Sequence, residues 1–329
     1  MGHGTYEPSA SAARATYRAA THTTAFTHDV DAKAGRVSQL HESMDFKLKP
    51  YRESRDSDKG PSTPVAVLCD VTGSMSRIPE LLIKDLNKLM STIQKLGVVS
   101  DPHLLFGAIG DATCDDVPVQ MGEFEASDEL VEQHLSNIYL EGGGGGQNME
   151  SYELFLYLFA KAVQTDAWDK RGEKGFLFII GDERNYPTVR KDLVKKYLNL
   201  EMSEDMTLEA VAAEVQERWE VFCFRPGGTS NYNSAQVQKQ WEDILPEERV
   251  IKVEDWERIV PQMAGIVSVM SGAALSDTIA AMKSAGFSDS VINGASTSLA
   301  TMETAPLATV VGETSITGTD STAEHGVRL

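Results

Sequence analysis

The chain has 329 residues, of which 41% are hydrophobic and 24% charged, and its formal net charge is −19. Those figures allow one sizeable α/β core with extensions, or two small ones, and exclude general nucleic-acid binding, which needs clustered Lys and Arg against phosphates. The three cysteines, Cys69, Cys114 and Cys223, form neither a disulfide framework nor a metal-ligand spacing, so a reducing cytoplasm is the expected compartment.

The first stretch, "MGHGTYEPSASAARATYRAA", has no continuous apolar segment and does not read as a signal peptide. Residues 1–45 are rich in Ala, Thr and Ser. Their histidines, His3, His22, His28 and His41, lack ligand spacing, so this part is expected to be a loose polar arm. Pro50 to Pro64 reads as a polar linker. "VAVLC" (65–69) is then a short apolar run of the kind buried on both faces of a parallel sheet. The helix after it carries Ile78, Leu82, Leu86, Leu89, Ile93 and Leu96 at three- and four-residue steps and stops at Gly97.

Strands are expected at 103–110 and 117–124, joined as a hairpin through the acidic "DATCDD". A helix over 128–138 leads into "EGGGGGQN" and then into a strongly apolar helix, "MESYELFLYLFAKAV". Further strands follow at 175–183, 220–226 and 249–255, with helices near 188–198, 207–218 and between the last two strands. The most apolar long stretch, Ile259 to Leu275, contains Pro261, Gln262 and two serines. It is short for a membrane span and reads as a buried helix.

This alternation predicts an α/β fold: a doubly wound, mostly parallel six-stranded sheet with one antiparallel edge strand and helices on both faces. The organisation expected is an arm (1–45), an α/β domain (46–272) and a Ser/Thr/Ala/Gly-rich tail (273–329) with a short helix over 276–285.

In such a sheet ligands collect at the carboxyl ends of the strands. Four polar elements fall at or beside those ends: "DVTGS", "GDATCDD", "GGGGGQN" and "GDERN". The first is also the pattern of a helix-capping turn. The glycine run lacks a Gly-Lys-Ser/Thr sequel, so it is no nucleotide P-loop. Asp111, Asp115 and Asp116 read as a solvated acidic loop or as charge on the rim of a metal site. Arg225 reads as part of a long loop or as a contact for an anionic partner.

Asp70-x-Thr72-x-Ser74, followed by Met75 and accompanied by Asp182 after a later strand, resembles the metal-ion-dependent adhesion site (MIDAS) of von Willebrand factor type A (vWA) domains. The resemblance covers roughly residues 64–272. It implies a Mg²⁺ or Mn²⁺ ion with Thr72 and Ser74 as direct ligands and Asp70 and Asp182 acting through water. Hard oxygen donors suit such an ion. The family's middle loop supplies a Thr or Asp; alignment on Glu150 puts Gln147 there, and a neutral amide implies weaker metal binding.

The function implied is a non-enzymatic interaction module that engages an acidic group of a partner protein. A MoxR-type AAA+ ATPase is the partner suggested by analogy with bacterial relatives. The arrangement "RESRDS…LCDVTGSMSRIPE" is similar to that of little-characterised bacterial and phage proteins. Two alternatives stand beside this reading. One is a phosphoryl-transfer enzyme resembling the haloacid dehalogenases, with Asp70 as nucleophile, Thr72 assisting and Asp182 holding Mg²⁺; against it, Tyr186 falls where that motif ends in an acid. The other is a self-associating structural or virion-associated scaffold.

Overall fold

The computed structural model describes residues 4–75, 77–142 and 148–303. Six strands form the central sheet: β1 (Ser62–Asp70), β2 (Asp101–Ile109), β3 (Val119–Met121), β4 (Gly175–Ile180), β5 (Trp219–Pro226) and β6 (Val250–Val253). Their order is β6-β5-β4-β1-β2-β3. All neighbours run parallel except β2 and β3. The expected mixed α/β architecture, a mostly parallel sheet with one antiparallel edge strand, is thus present. The longer helices are α1 (Pro8–Thr21), α2 (Ile78–Leu96), α3 (Asp128–Ser136), α4 (Tyr152–Lys161), α5 (Leu208–Arg218), α6 (Ala235–Glu242), α7 (Ile259–Met270), α8 (Leu275–Ala285) and α9 (Asp289–Glu303).

Side chains alternate across a strand, and the sheet sorts its apolar residues accordingly. Val65, Val67, Cys69, Phe106, Phe178 and Phe224 enter one cluster with α2, α7, α8 and α9. Ala66, Leu68, Leu105, Leu177, Ile179 and Cys223 enter another with α4 and α5. Every residue of β2 and β4 is buried. Pro64 pairs with His103 on one side, one residue before β1 begins pairing with β4, a strand-start position where a missing N–H is tolerated.

Several segments are more structured than the sequence led us to expect. The stretch read as a linker contains Arg52, 1% exposed, whose guanidinium donates to the carbonyls of Met121 (2.7 Å) and Gly122 (2.6 Å). It also contains Ser54, hydrogen-bonded to buried His103 at 3.0 Å. The N-terminal arm is docked as well. Tyr6, Phe26 and Met44 join the first core cluster, while Arg14 and Arg18 pair with Glu132, and Arg14 also with Asp128, on α3. The helix expected near 188–198 shrinks to Lys191–Leu193 followed by a single π-turn, Val194–Leu198, stopped by Asn199 in the left-handed region.

The expected tail also begins with packed structure: α8 and α9 lie against α2 and α7, and Met282, Val291, Ile292 and Leu299 are buried there. Leu299 lies over Gly265 of α7 so closely that a Cβ at Gly265 would sit 2.3 Å from it. Residues 304–329 lie outside the described part of the chain. No helix among the described residues is long and apolar enough to cross a membrane. Leu299→Ala is expected to lower the unfolding free energy by about 2–5 kcal/mol in a urea titration; no change would mean that α9 is not part of the core.

Candidate functional site

The strand register brings the polar elements to one end of the sheet. Asp70 ends β1 opposite Ile109, so Asp111 lies two residues beyond on the neighbouring strand. Asp182 lies two residues beyond β4, next to β1 on its other side, and Arg225 is near the end of β5. A short parallel pairing of Met149–Glu150 with Arg184–Asn185 draws the loop before α4 toward the segment that follows Asp182. Glu150 therefore reaches the same place although it follows a different part of the chain.

Asp70 is fully buried. Its Oδ1 accepts the Thr72 amide at 2.7 Å and the Thr72 hydroxyl at 2.6 Å, which locks the turn after β1. Gly73 continues that turn at φ +40°, in the left-handed region, with no atom near where a Cβ would be. Thr72 Oγ1 also lies 3.2 Å from Glu150 Oε1. A hydroxyl has one proton, so both contacts are hydrogen bonds only when one of the two acids carries a proton of its own.

Asp182, 3% exposed, accepts the Asn231 amide at 3.1 Å on Oδ2. Between β4 and Asp182, Gly181 meets the Tyr152 ring; a Cβ would sit 2.1 Å from that hydroxyl, so the approach of α4 to the sheet end requires glycine. Asp111 repeats the Asp70 device on β2, accepting from the Thr113 amide (2.8 Å) and hydroxyl (2.7 Å). Unlike Asp70, it has its other oxygen satisfied, by the Tyr186 hydroxyl at 2.9 Å. It is 1% exposed, so it belongs to the interior and not to a solvated loop.

Burial pushes the Asp70 carboxyl well above the ordinary carboxylate range, and Asp182 and Glu183 push it further against the lowering effect of the Thr72 hydrogen bonds. Glu150 is raised by burial and then by Asp70 and Glu183. Glu183 is raised to about 7, by burial first and Asp182 second. Asp70 Oδ2 and Glu150 Oε2 are buried with no hydrogen-bond partner among the described residues. No group of three or more His, Cys, Asp or Glu among the described residues forms a metal-ligand cluster by itself. The donors that converge are a mixed set: two carboxylates with an unpartnered oxygen each, and the Thr72 hydroxyl. Hard oxygens of this kind suit Mg²⁺ or Mn²⁺ better than a softer ion.

Of the residues singled out in the sequence, Asp70, Thr72 and Asp182 meet at this sheet end. Ser74 is in the following 3₁₀ turn, Gly73–Met75, but its side chain is outside the described part, and so is the whole of Gln147. Arg225 is 0% exposed and so is not placed to meet a partner, contrary to one of its two expected roles. Cys114 is exposed, but burial of its sulfur and the neighbouring Asp111 and Asp115 raise its thiol to about 12, which keeps it protonated. Glu150 and Glu183 were not among the expected site residues. The one mark on Glu150 in the sequence was its match to the family's Glu in the alignment of the middle loop.

No family model and no curated protein matches the chain. Among solved structures, the pilus adhesin SpaC from Lactobacillus rhamnosus GG in its open conformation is similar at 10% identity and a TM-score of 0.44, over 65% of this chain and 31% of the adhesin. A second form of SpaC gives 11% and 0.44, over 65% and 32%. Proximal thread matrix protein 1 from the mussel byssus gives 10% and 0.38, over 63% of this chain and 48% of that protein. The chain thus spans about a third of the adhesin and about half of the matrix protein. Likenesses at this level carry no functional argument.

The raised carboxyl groups fix a pH dependence. A carboxyl whose folded pKa lies above its unfolded value holds its proton longer in the native state. The stability this contributes is full below the ordinary carboxylate range and is lost as pH rises through the folded value. Asp56, held down to about 2 by the Ser62 amide and Arg171 despite partial desolvation, acts only at lower pH. Burial lowers His103, and His134 to about 4, so these two work in the opposite sense up to the ordinary histidine value. In chelator, Glu150→Gln is expected to raise the thermal midpoint more at pH 8 than at pH 5. An equal rise at both pH values, or none, contradicts the assignment.

Proposed function

We propose that this chain is a divalent-cation-dependent protein–protein interaction module of the von Willebrand factor type A kind, with a doubly wound sheet and a variant metal-ion-dependent adhesion site. The observation that carries the reading is the buried pair of carboxylates, Asp70 and Glu150, joined through the Thr72 hydroxyl at the carboxyl end of the sheet, each with an unpartnered oxygen.

Thr72 and Ser74 would hold a Mg²⁺ or Mn²⁺ ion directly, Asp70 and Asp182 through water, with Gln147 at the remaining loop position and Glu150 as a further acid beside Thr72. When bound, the ion supplies an electron-poor centre that attracts a carboxylate. The protein's own residues do the rest: Asp70 fixes the turn after β1 through the Thr72 amide and hydroxyl, and Gly73 allows that turn. A cation bound there would offset the mutual repulsion of the buried acids when they are ionised. The partner would then be a protein offering an acidic group. A MoxR-type AAA+ ATPase in a bacterial or phage-infected cytoplasm fits by analogy alone.

Phosphoryl transfer has less support. A nucleophilic Asp70 has to be reachable, and here it is wholly buried with Oδ1 occupied twice. The scaffold reading rests on self-association through parts of the chain other than this site.

Calorimetric titration of Mn²⁺ and of Mg²⁺ into the purified protein tests the proposal. One ion is expected to bind to wild type and none to a Thr72→Ala/Ser74→Ala double variant. Retained binding in that variant with loss in Asp70→Ala and Asp182→Ala would favour the carboxylate-centred enzyme. No binding to wild type would leave the scaffold as the reading to pursue.

A further inference from the structure

Arg225 is a fully buried cation whose hydrogen-bond partners among the described residues are an amide oxygen and a backbone carbonyl, not a carboxylate. One guanidinium nitrogen donates to the Asn231 carbonyl at 2.6 Å, the other terminal nitrogen to Gln238 Oε1 on α6, and Nε has no partner among the described residues. Burying a guanidinium without a paired charge is costly, and an apolar side chain of similar length would pack at the end of β5 more cheaply. What the arginine does hold is the 227–234 loop. The Asn231 backbone receives the guanidinium on its carbonyl and gives its own N–H to Asp182 Oδ2 at 3.1 Å. The carboxylate of Asp182 in turn acts on the Arg225 charge across that residue. The loop has further ties at its start, where the Gly227 amide donates to Val253 at 2.7 Å and the Trp256 indole donates to the Gly227 carbonyl at 2.5 Å. Arg225 ties it further along, at Asn231, and Lys252 reaches Asn233 at 3.5 Å.

We propose that Arg225 is a positioning residue for Asp182: through Asn231 it aims and holds the Asp182 carboxylate at the cation site, and it does not itself meet a partner. The geometry stands independently of any ion; the consequence for affinity rests on the cation-binding function proposed above. A planar fork with two fixed donors is suited to this work, because it restrains the carbonyl of Asn231 and the side chain of Gln238 together, which an ammonium on a flexible stem cannot do.

The test uses the full chain and two readouts: amide hydrogen exchange at Asn231, and Mn²⁺ affinity by calorimetry. In Arg225→Met, exchange at Asn231 is expected to speed up about ten-fold or more, and Mn²⁺ affinity to fall about ten-fold or more, the usual size of losing a residue that orients a ligand. Arg225→Lys is expected to behave like the methionine variant. Wild-type behaviour in the lysine variant would assign the effect to charge and overturn the positioning role. Should the methionine variant fail to fold, the lysine variant carries both readouts: faster exchange at Asn231 with a comparable loss of Mn²⁺ affinity supports the proposal, and wild-type values overturn it. If wild type binds no Mn²⁺, the cation reading fails separately. Exchange at Asn231 then decides the positioning role: faster in Arg225→Met supports it, unchanged refutes it.

Discussion

The site depends on one arrangement: a carboxyl group buried at the end of the central strand with no countercharge beside it among the described residues. Asp70 is held by its own neighbour, Thr72, through one oxygen, while its second oxygen faces an interior that holds Glu150, Asp182 and Glu183 nearby. A fold gains nothing in stability from gathering acids this way. Hydrophobic clusters on both sides of the sheet supply the stability that lets the strand ends carry such a group. Asp111, one strand away, shows the alternative. The same Asp-x-Thr turn is completed there by the Tyr186 hydroxyl, and the carboxylate is left with no oxygen free.

Much of this was legible in the sequence. Apolar runs on both-face-buried strands, with helical periodicity between them, marked the α/β sheet, and the polar residues directly after those runs marked the sheet end where Asp70, Thr72 and Asp182 meet. Glu150 escaped because its place depends on a two-residue pairing with Arg184–Asn185, which leaves no periodic signal. Arg225 was visible as a residue at a strand end, but its burial depends on a loop that folds back over it.

The terminal segments escaped for a different reason. Their composition averages to polar, whereas what docks them is local. Ile292, Ala295 and Leu299 follow a three-and-four spacing inside a Ser/Thr/Ala-rich stretch and turn one face of α9 into the core. At the other end, Arg14 pairs with Glu132, 118 residues away, and Tyr6 and Phe26 are buried singly. Long-range charge pairs and isolated aromatic anchors do not register in a composition window.

The Arg52 guanidinium has a consequence for how the molecule can associate. By taking the carbonyls of Met121 and Gly122 it occupies hydrogen-bonding groups along β3, the short strand that ends the sheet on one side. At the opposite margin β6 has only four residues, Val250–Val253, with Lys252 exposed between them. Short margins, one of them plugged by a buried cation, offer poor templates for an incoming strand. Extension of the sheet into a second molecule is therefore disfavoured at both margins.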